Sequence, residues 1–293
     1  MSRAVVLDFR ALEVGGPAVA PSLWAHDGSR LGVEALRALG GEQGLTFLIH
    51  GFNNSRSVGR ASGLEFASLM RASSGSDRLG CVVVVLWPGD HRLGALTYSF
   101  EERDADRTAA ELARTITQRI APGPAASFVA HSLGCRVALE TMRRLHGEGV
   151  ASQEVVLMAG AVDADALARS SRYAGGVRAA RRVATVASRH DRVLQFAFPA
   201  GNAIAGLLYG GYRQAALGWA GPTAARRPRP EPLPPTVLPL SVTNHGVGHG
   251  DYLPGRGPTG PKHESAAHFT AEVLRGLPTP RYPTPGKAGQ PQP

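Results

Sequence analysis

The chain is short of cysteine, lysine and aromatic residues, and each shortage removes a class of explanation. Its two cysteines, Cys81 and Cys135, stand far apart in apolar surroundings. That is neither a disulfide framework nor a metal-ligating cluster. Of 32 basic residues only Lys262 and Lys287 are lysine, so the net charge of +9 is carried by arginine. Such a charge attracts anions of many kinds. Aromatics amount to only 6%, and no RRM, KH, zinc-finger or basic-zipper spacing is present. The arginines are therefore read as solvated surface, with no specific nucleic-acid partner.

Long apolar runs are scarce as well. The opening "MSRAVVLDFR" lacks the apolar core of a signal peptide, so a cytoplasmic location is expected. Residues 193–212, "VLQFAFPAGNAIAGLLYGGY", carry no charge and approach a membrane-spanning length. However, Gln195, Pro199, Asn202 and four glycines dilute the segment. It reads as buried core or an apolar flap, not a transmembrane span, and peripheral membrane contact is compatible with it.

What the chain has in quantity is short apolar runs that end in turn chemistry. With 293 residues, 43% of them hydrophobic, it is long enough for one large core. "LTFLIH" (45–50), "CVVVVLW" (81–87), "SFVAH" (127–131), "EVVLMAG" (154–160) and "RVATVAS" (182–188) read as buried strands. "TVLPLSVT" (236–243) is a sixth, and residues 4–10 read as an edge strand.

Helical patterns fall between the strands, at 58–71, 101–120, from Ser132 onward and at 264–277. The alternation predicts an α/β fold, a mostly parallel sheet with helices on both faces. One domain is expected over 1–277. Residues 221–235 would form a proline- and arginine-rich surface loop, and 278–293 a disordered proline-rich tail.

In an open parallel sheet, reactive groups gather at the carboxyl ends of the strands. The strand ends of this chain carry, in order, His50-Gly51-Phe52-Asn53-Asn54-Ser55, Trp87-Pro88-Gly89-Asp90, His131-Ser132-Leu133-Gly134, Asp163, Asp191, and finally His245 and His249. Ser132 sits between a strand and a helix, where a tight turn would expose its hydroxyl. Such a serine is either a nucleophile or a helix N-cap. Small residues are needed two positions to either side, and Ala130 and Gly134 satisfy this.

The "HGF" at 50–52 lies after an earlier strand, where a backbone N–H is needed for an oxyanion hole. Phe52 and Leu133 are the candidate amide donors. His50 and Gly51 would shape that loop, Gly51 by allowing a sharp backbone path.

A serine nucleophile needs a histidine base and an acid to orient it. His249, flanked by Gly248 and Gly250, is the candidate base, with His245 the alternative. Asp191 is the candidate acid, with Asp163 the alternative. Asp163 resembles a helix N-cap, whereas Asp191 has less capping work to explain it.

Together "FLIHGFNNS", "LWPGD", "FVAHSLGCRVALE", "VLMAGAVD", "SRHDRVL" and "GHGDYL" resemble the α/β-hydrolase superfamily. They are most similar to esterase- or lipase-like bacterial hydrolases with an HGFN oxyanion loop and an AHS-[LM]-G elbow. The resemblance spans roughly 45–275 in order. It implies Ser132 as nucleophile, Asp191 as acid, His249 as base, Phe52 and Leu133 as oxyanion donors, and hydrolysis of an ester or related acyl bond with no metal or other cofactor; the expected substrate is a small-molecule acyl ester with an apolar acyl chain.

The chain departs from the superfamily pattern at Ala130, in N-terminal antiparallel strands that look reduced, and in the lack of a long cap domain. The superfamily's chemistry extends to thioesters and amides. Two rivals stand beside the esterase reading: a catalytically silent binding module on the same fold, and an anionic-surface binder using the arginines of 169–192 or 226–229.

Overall fold

The computed structural model describes residues 4–11, 16–74, 79–89, 98–121, 123, 125–198, 215–223, 232–238, 241–242, 246–255, 257–278 and 280–285. Its centre is a sheet of nine strands. These are β1 (Ala4–Asp8), β2 (Ser22–Ala25), β3 (Arg30–Leu31), β4 (Leu45–Ile49), β5 (Cys81–Leu86), β6 (Ala126–His131), β7 (Ser152–Met158), β8 (Arg182–Ala187) and β9 (Ser241–Val242), in the order β3-β2-β1-β5-β4-β6-β7-β8-β9. From β1 through to β9 every neighbouring pair is parallel. Among the described residues, only the β1–β2 and β2–β3 strand pairs are antiparallel.

Consecutive residues of β4 and β5 are all buried. A strand buried on both sides needs helices on both faces of the sheet. These are α1 (Ala35–Gly40), α2 (Arg56–Ser74), α3 (Tyr98–Thr115), α4 (Gly134–Gly147), α5 (Ala174–Ala179), α6 (Leu217–Ala220) and α7 (Pro261–Leu274). They fall into packed groups, α2 with α7, and α4 with both α3 and α5. The sheet and helices share one apolar core that includes Phe47, Phe66, Trp87, Phe128 and Phe269. Each such side chain contributes roughly 1.5–3 kcal/mol by leaving water.

The structure departs from the sequence reading at the margins. The segment 4–10 is not at the edge: β1 pairs with β5 on one side and β2 on the other. β2 and β3 have four and two residues, too few to show a period. Their antiparallel pairing supplies N-terminal strands, short as the reduced pattern in the sequence implies.

Of the sixth expected strand, 236–243, the described residues include Ser241–Val242 and a bridge between Val183 and Val237, while 239–240 and 243 lie outside the described residues. Residues 280–285 are not loose. Tyr282 packs 5.7 Å from the Phe269 ring, and the Arg281 N–H donates to Glu272. The buried Glu154 of β7 pairs with Arg182 of β8 at 2.8 Å, and Arg182 also bonds the carbonyls of Val273 and Leu277. This ties the end of α7 to the sheet.

Of the apolar 193–212 segment, Val193–Ala197 forms a single π-helical turn, and 199–212 lies outside the described residues, as do 224–231 of the proline-rich loop and 286–293 of the tail. Among the described residues no helix is long and apolar enough to cross a membrane.

Candidate active site

The chain leaves β6 at His131 and must turn at once into α4. Ser132 makes that turn with φ of +55°, a left-handed conformation that costs a non-glycine residue roughly 1–2 kcal/mol. Backbone bonds hold it there. The Ser132 N–H donates to Met158 at 3.0 Å, and its carbonyl accepts from Cys135 and Ala161, each at 3.1 Å. The space is as tight as the small residues predict. A Cβ on Gly134 would come within 2.4 Å of the His50 carbonyl oxygen, and Ala130 is fully buried. The Ser132 hydroxyl does not cap α4. Its partner is His249 Nε2, at 2.9 Å.

The other imidazole nitrogen, His249 Nδ1, lies 2.8 Å from Asp191 Oδ2. Asp191 is completely buried in the turn after β8. Its second oxygen, Oδ1, accepts the Leu194 N–H at 2.9 Å. Asp191 therefore does the capping work that the sequence reading withheld from it, and it pairs with the histidine as well. Asp163 is placed elsewhere, in a backbone bridge to Ala216. His245 lies outside the described residues, as does Asp90.

His249 opens a short 3-10 turn, His249–Asp251. Asp251 accepts from the Gly248 N–H at 2.6 Å and from Lys262 Nζ at 2.8 Å. Lys262 also donates to the Gly246 carbonyl at 2.7 Å. From beneath, His131 Nε2 lies 2.8 Å from the His249 carbonyl oxygen. A carbonyl only accepts, so His131 is the Nε2–H tautomer. Burial, and then the nearby His249, push the His131 imidazole down to about 3, so it is neutral at ordinary pH.

The third element is the loop after β4. A Cβ on Gly51 would meet Ser132 Cβ at 2.8 Å and His131 Nδ1 at 3.0 Å. Gly51 is needed for this close approach, not for a sharp backbone path. The left-handed residue is Asn53, with φ of +61°, whose N–H donates to Gly89 at 2.5 Å. The loop thus lies directly over Ser132. Among the described residues no acceptor is paired with the N–H of Phe52 or of Leu133.

His50 is buried beneath the loop. Its Nδ1 lies 2.7 Å from the Gly51 carbonyl, and its own carbonyl accepts from the Trp87 indole at 2.8 Å. Desolvation, followed by the Arg10 charge, pushes His50 down to about 3. The structure therefore gathers Ser132, Asp191, His249, His50, Gly51, Phe52 and Leu133 at one place.

Sequence reasoning placed His131 and Asn54 at strand ends without giving them a role, and did not single out Asp251, Lys262 or Arg10. His131 and Asp251 stand inside the motifs "AHS" and "GHGDYL", so proximity to the motif centres was a usable signal. Arg10 and Lys262 carry no such signal, because only the tertiary fold brings them near. Chemically, an imidazole held between a buried carboxylate and a hydroxyl is able to accept the hydroxyl proton.

No curated protein sequence matches this one. Among solved structures, the chain is similar to YbtT, a type II thioesterase from a yersiniabactin biosynthetic pathway, at 16% identity over 81% of this chain and 94% of that one, with a TM-score of 0.41. It is also similar to an esterase from Pyrobaculum calidifontis, at 17% identity over 81% and 78% of the two chains, with a TM-score of 0.40. A third is carboxyl esterase 2 from the mycorrhizal fungus Tuber melanosporum, at 11% identity over 92% and 88%, with a TM-score of 0.40. The family described as alpha/beta hydrolase of unknown function (DUF900) matches residues 34–204, which include Phe52, Ser132 and Asp191 and stop short of His249. That match covers more than half of the sequence, and with the parallel sheet and its turn at Ser132 it places the chain in this α/β-hydrolase family.

Proposed function

We propose that the protein is a serine hydrolase that cleaves a small acyl ester through a covalent acyl-enzyme intermediate. The observation that carries this reading is the unbroken chain of hydrogen bonds from Asp191 through His249 to Ser132. It ends on a hydroxyl that a strained backbone holds out of the helix.

In the first half-reaction Ser132 Oγ attacks the ester carbonyl carbon, and its proton passes to His249 Nε2. The oxyanion of the tetrahedral intermediate accepts the N–H bonds of Phe52 and Leu133. Asp191 holds His249 as the Nδ1–H tautomer and offsets the charge of the imidazolium. Collapse of the intermediate breaks the bond to the leaving alkoxide, which departs as an alcohol with the proton from His249 Nε2. In the second half-reaction His249 takes a proton from water, and the resulting hydroxide attacks the acyl-Ser132 carbonyl. The acid product leaves as Ser132 recovers its proton from His249.

Labelling with a fluorophosphonate probe tests the reading. The wild-type protein is expected to react at Ser132 and to hydrolyse p-nitrophenyl acetate, and Ser132→Ala to do neither. A folded wild-type protein that takes up no label, or a Ser132→Ala variant that still does, would overturn it.

A further inference from the structure

An amide donor is useful only if it is aimed. The Phe52 N–H and the Gly51 carbonyl belong to one planar trans peptide unit, so they point in opposite directions. The Gly51 carbonyl is held from behind, by His50 Nδ1 at 2.7 Å and Asn54 Nδ2 at 3.2 Å. Whatever fixes those donors fixes the direction of the Phe52 N–H.

His50 donates from Nδ1 only in one of its neutral tautomers. Its Nε2 faces the Trp87 backbone N–H at 3.3 Å and Arg10 Nη2 at 3.4 Å. Both of these groups are donors, and a guanidinium has no acceptor and keeps its proton at any working pH. Nε2 must therefore present its lone pair, and the ring proton resides on Nδ1.

Arg10 is built into this position. It lies just beyond β1 and is buried. Its backbone N–H donates to Asp8 Oδ1 at 3.0 Å. The Asp8 carboxylate pairs with Arg56 at 2.8 Å, and Arg56 in turn donates to the carbonyls of Arg10 and Ala11, each at 3.1 Å. Arg10 Nη2 also donates to the Asn54 carbonyl at 2.5 Å, gripping the residue that shares the load on Gly51.

We propose that Arg10 is a positioning residue for acyl transfer, which locks the His50 tautomer and the Asn54 backbone and thereby aims the Phe52 N–H at the oxyanion. The inference rests on the serine-hydrolase reading above and adds a residue from a strand three places away in the sheet from β6. A donor aimed at the oxyanion acts in the transition state and not on the bound ester.

The test measures p-nitrophenyl butyrate turnover and inhibition by phenylboronic acid, which forms a tetrahedral adduct on an active serine. In Arg10→Met, kcat is expected to fall roughly tenfold or more with KM within about twofold, and phenylboronate affinity to fall by about the same factor as kcat. A folded Arg10→Met with unchanged kcat, or with the loss confined to KM, overturns the proposal.

A second pair decides if Arg10→Met fails to fold. The amide nitrogen of asparagine overlies the histidine Nδ1, and that of glutamine overlies Nε2. His50→Gln should lose as much kcat as Arg10→Met is expected to lose, and His50→Asn, which keeps a donor at the Nδ1 position, distinctly less. Equal activities in the two overturn the proposal. Absence of fluorophosphonate labelling in the wild type overturns the underlying hydrolase reading and this inference together. Labelled, active wild type with an indifferent Arg10→Met overturns this inference alone.

Discussion

Residues 50–54 reach Ser132 as the direct continuation of β4, which is in continuous parallel register with β6 from Leu45↔Ala126 to Ile49↔Ala130. Residues 246–251 arrive after β9, a strand of two residues, and are fastened by side chains: Asp251, Lys262 and His131. The first loop is held by backbone pairing, by the side chains of Arg10, His50 and Asn54, and by a glycine, Gly51, with no clearance. The second has open space at its glycines, since among the described residues a Cβ on Gly246 or Gly250 meets nothing within 4 Å. Polar partners fasten both loops, but the first alone should be intolerant of added volume. That contrast is open to test from several directions.

The largest effect is expected on the histidine side. Asp191→Asn should cost ~10³-fold or more in kcat on p-nitrophenyl acetate, because an amide at Oδ2 no longer selects the Nδ1–H tautomer of His249. Asp163→Asn should stay within about twofold, as Asp163 is bridged to Ala216 instead. Comparable losses in the two variants would contradict the assignment of the acid.

Volume tests the other side. Gly134→Ala puts a methyl group against the carbonyls of His50 and Ile49, at 2.4 and 2.8 Å. These are backbone atoms of a central strand and have nowhere to retreat. A destabilisation of roughly 1–3 kcal/mol and at least a tenfold fall in kcat are expected. Gly250→Ala, in open space, should be nearly silent. Thermal unfolding and steady-state kinetics on the two variants decide the matter, and equal behaviour would mean that clearance is not what separates the loops.

The same division governs how much of the molecule was legible in the sequence. The turn at Ser132 is contiguous, so Ala130, Ser132 and Gly134 announce it within five residues. β5 and β6 are apolar enough to be found within a residue or two of their limits. The loop at 50–54 is a motif too, although the reason for Gly51 was not: close approach to Ser132 is a property of the fold, invisible in the order of residues. Asp191 and His249 were singled out by chain order and by the turn residues around them.

What anchors them is remote in sequence: Lys262 acts from α7, and His131 from β6. β2 and β3 escaped because strands of four and two residues have no measurable period, and their antiparallel pairing is set by β1. Tyr282 was hidden by its proline-rich surroundings, which signal disorder by composition while the ring itself finds Phe269.

The two neutral histidines, His50 and His131, extend the comparison to pH. Each is held down to about 3 in the folded protein, against an ordinary value of 6.5. Between those values the unfolded chain binds protons that the folded chain refuses. Stability is therefore full above about pH 6.5 and is lost as the pH falls toward 3. The loss between pH 7 and pH 5 should be roughly 2 kcal/mol per histidine, visible as a falling Tm. His131→Gln, which cannot titrate, should remove about half of that slope. A Tm equally steep in wild type and variant would show that His131 is not held neutral.

The smallest effects concern the fastenings of the histidine loop, and they ask whether its polar bonds act singly or as a set. His131→Gln keeps an N–H donor where Nε2 stood, whereas His131→Leu leaves the His249 carbonyl without it. The leucine variant should lose roughly tenfold in kcat and the glutamine variant less than about threefold, since a displaced imidazole reaches Ser132 less often. Lys262→Met removes the bonds to Asp251 and Gly246. Lys262 is partly exposed, where water replaces such bonds at little cost, so about a twofold loss is expected. If the bonds act independently, the double variant His131→Leu/Lys262→Met multiplies the two losses. If either bond suffices to seat the loop, the double variant loses far more than the product. The second outcome would make the histidine side as over-determined as the serine side, and the contrast between the loops would then be one of means and not of rigidity.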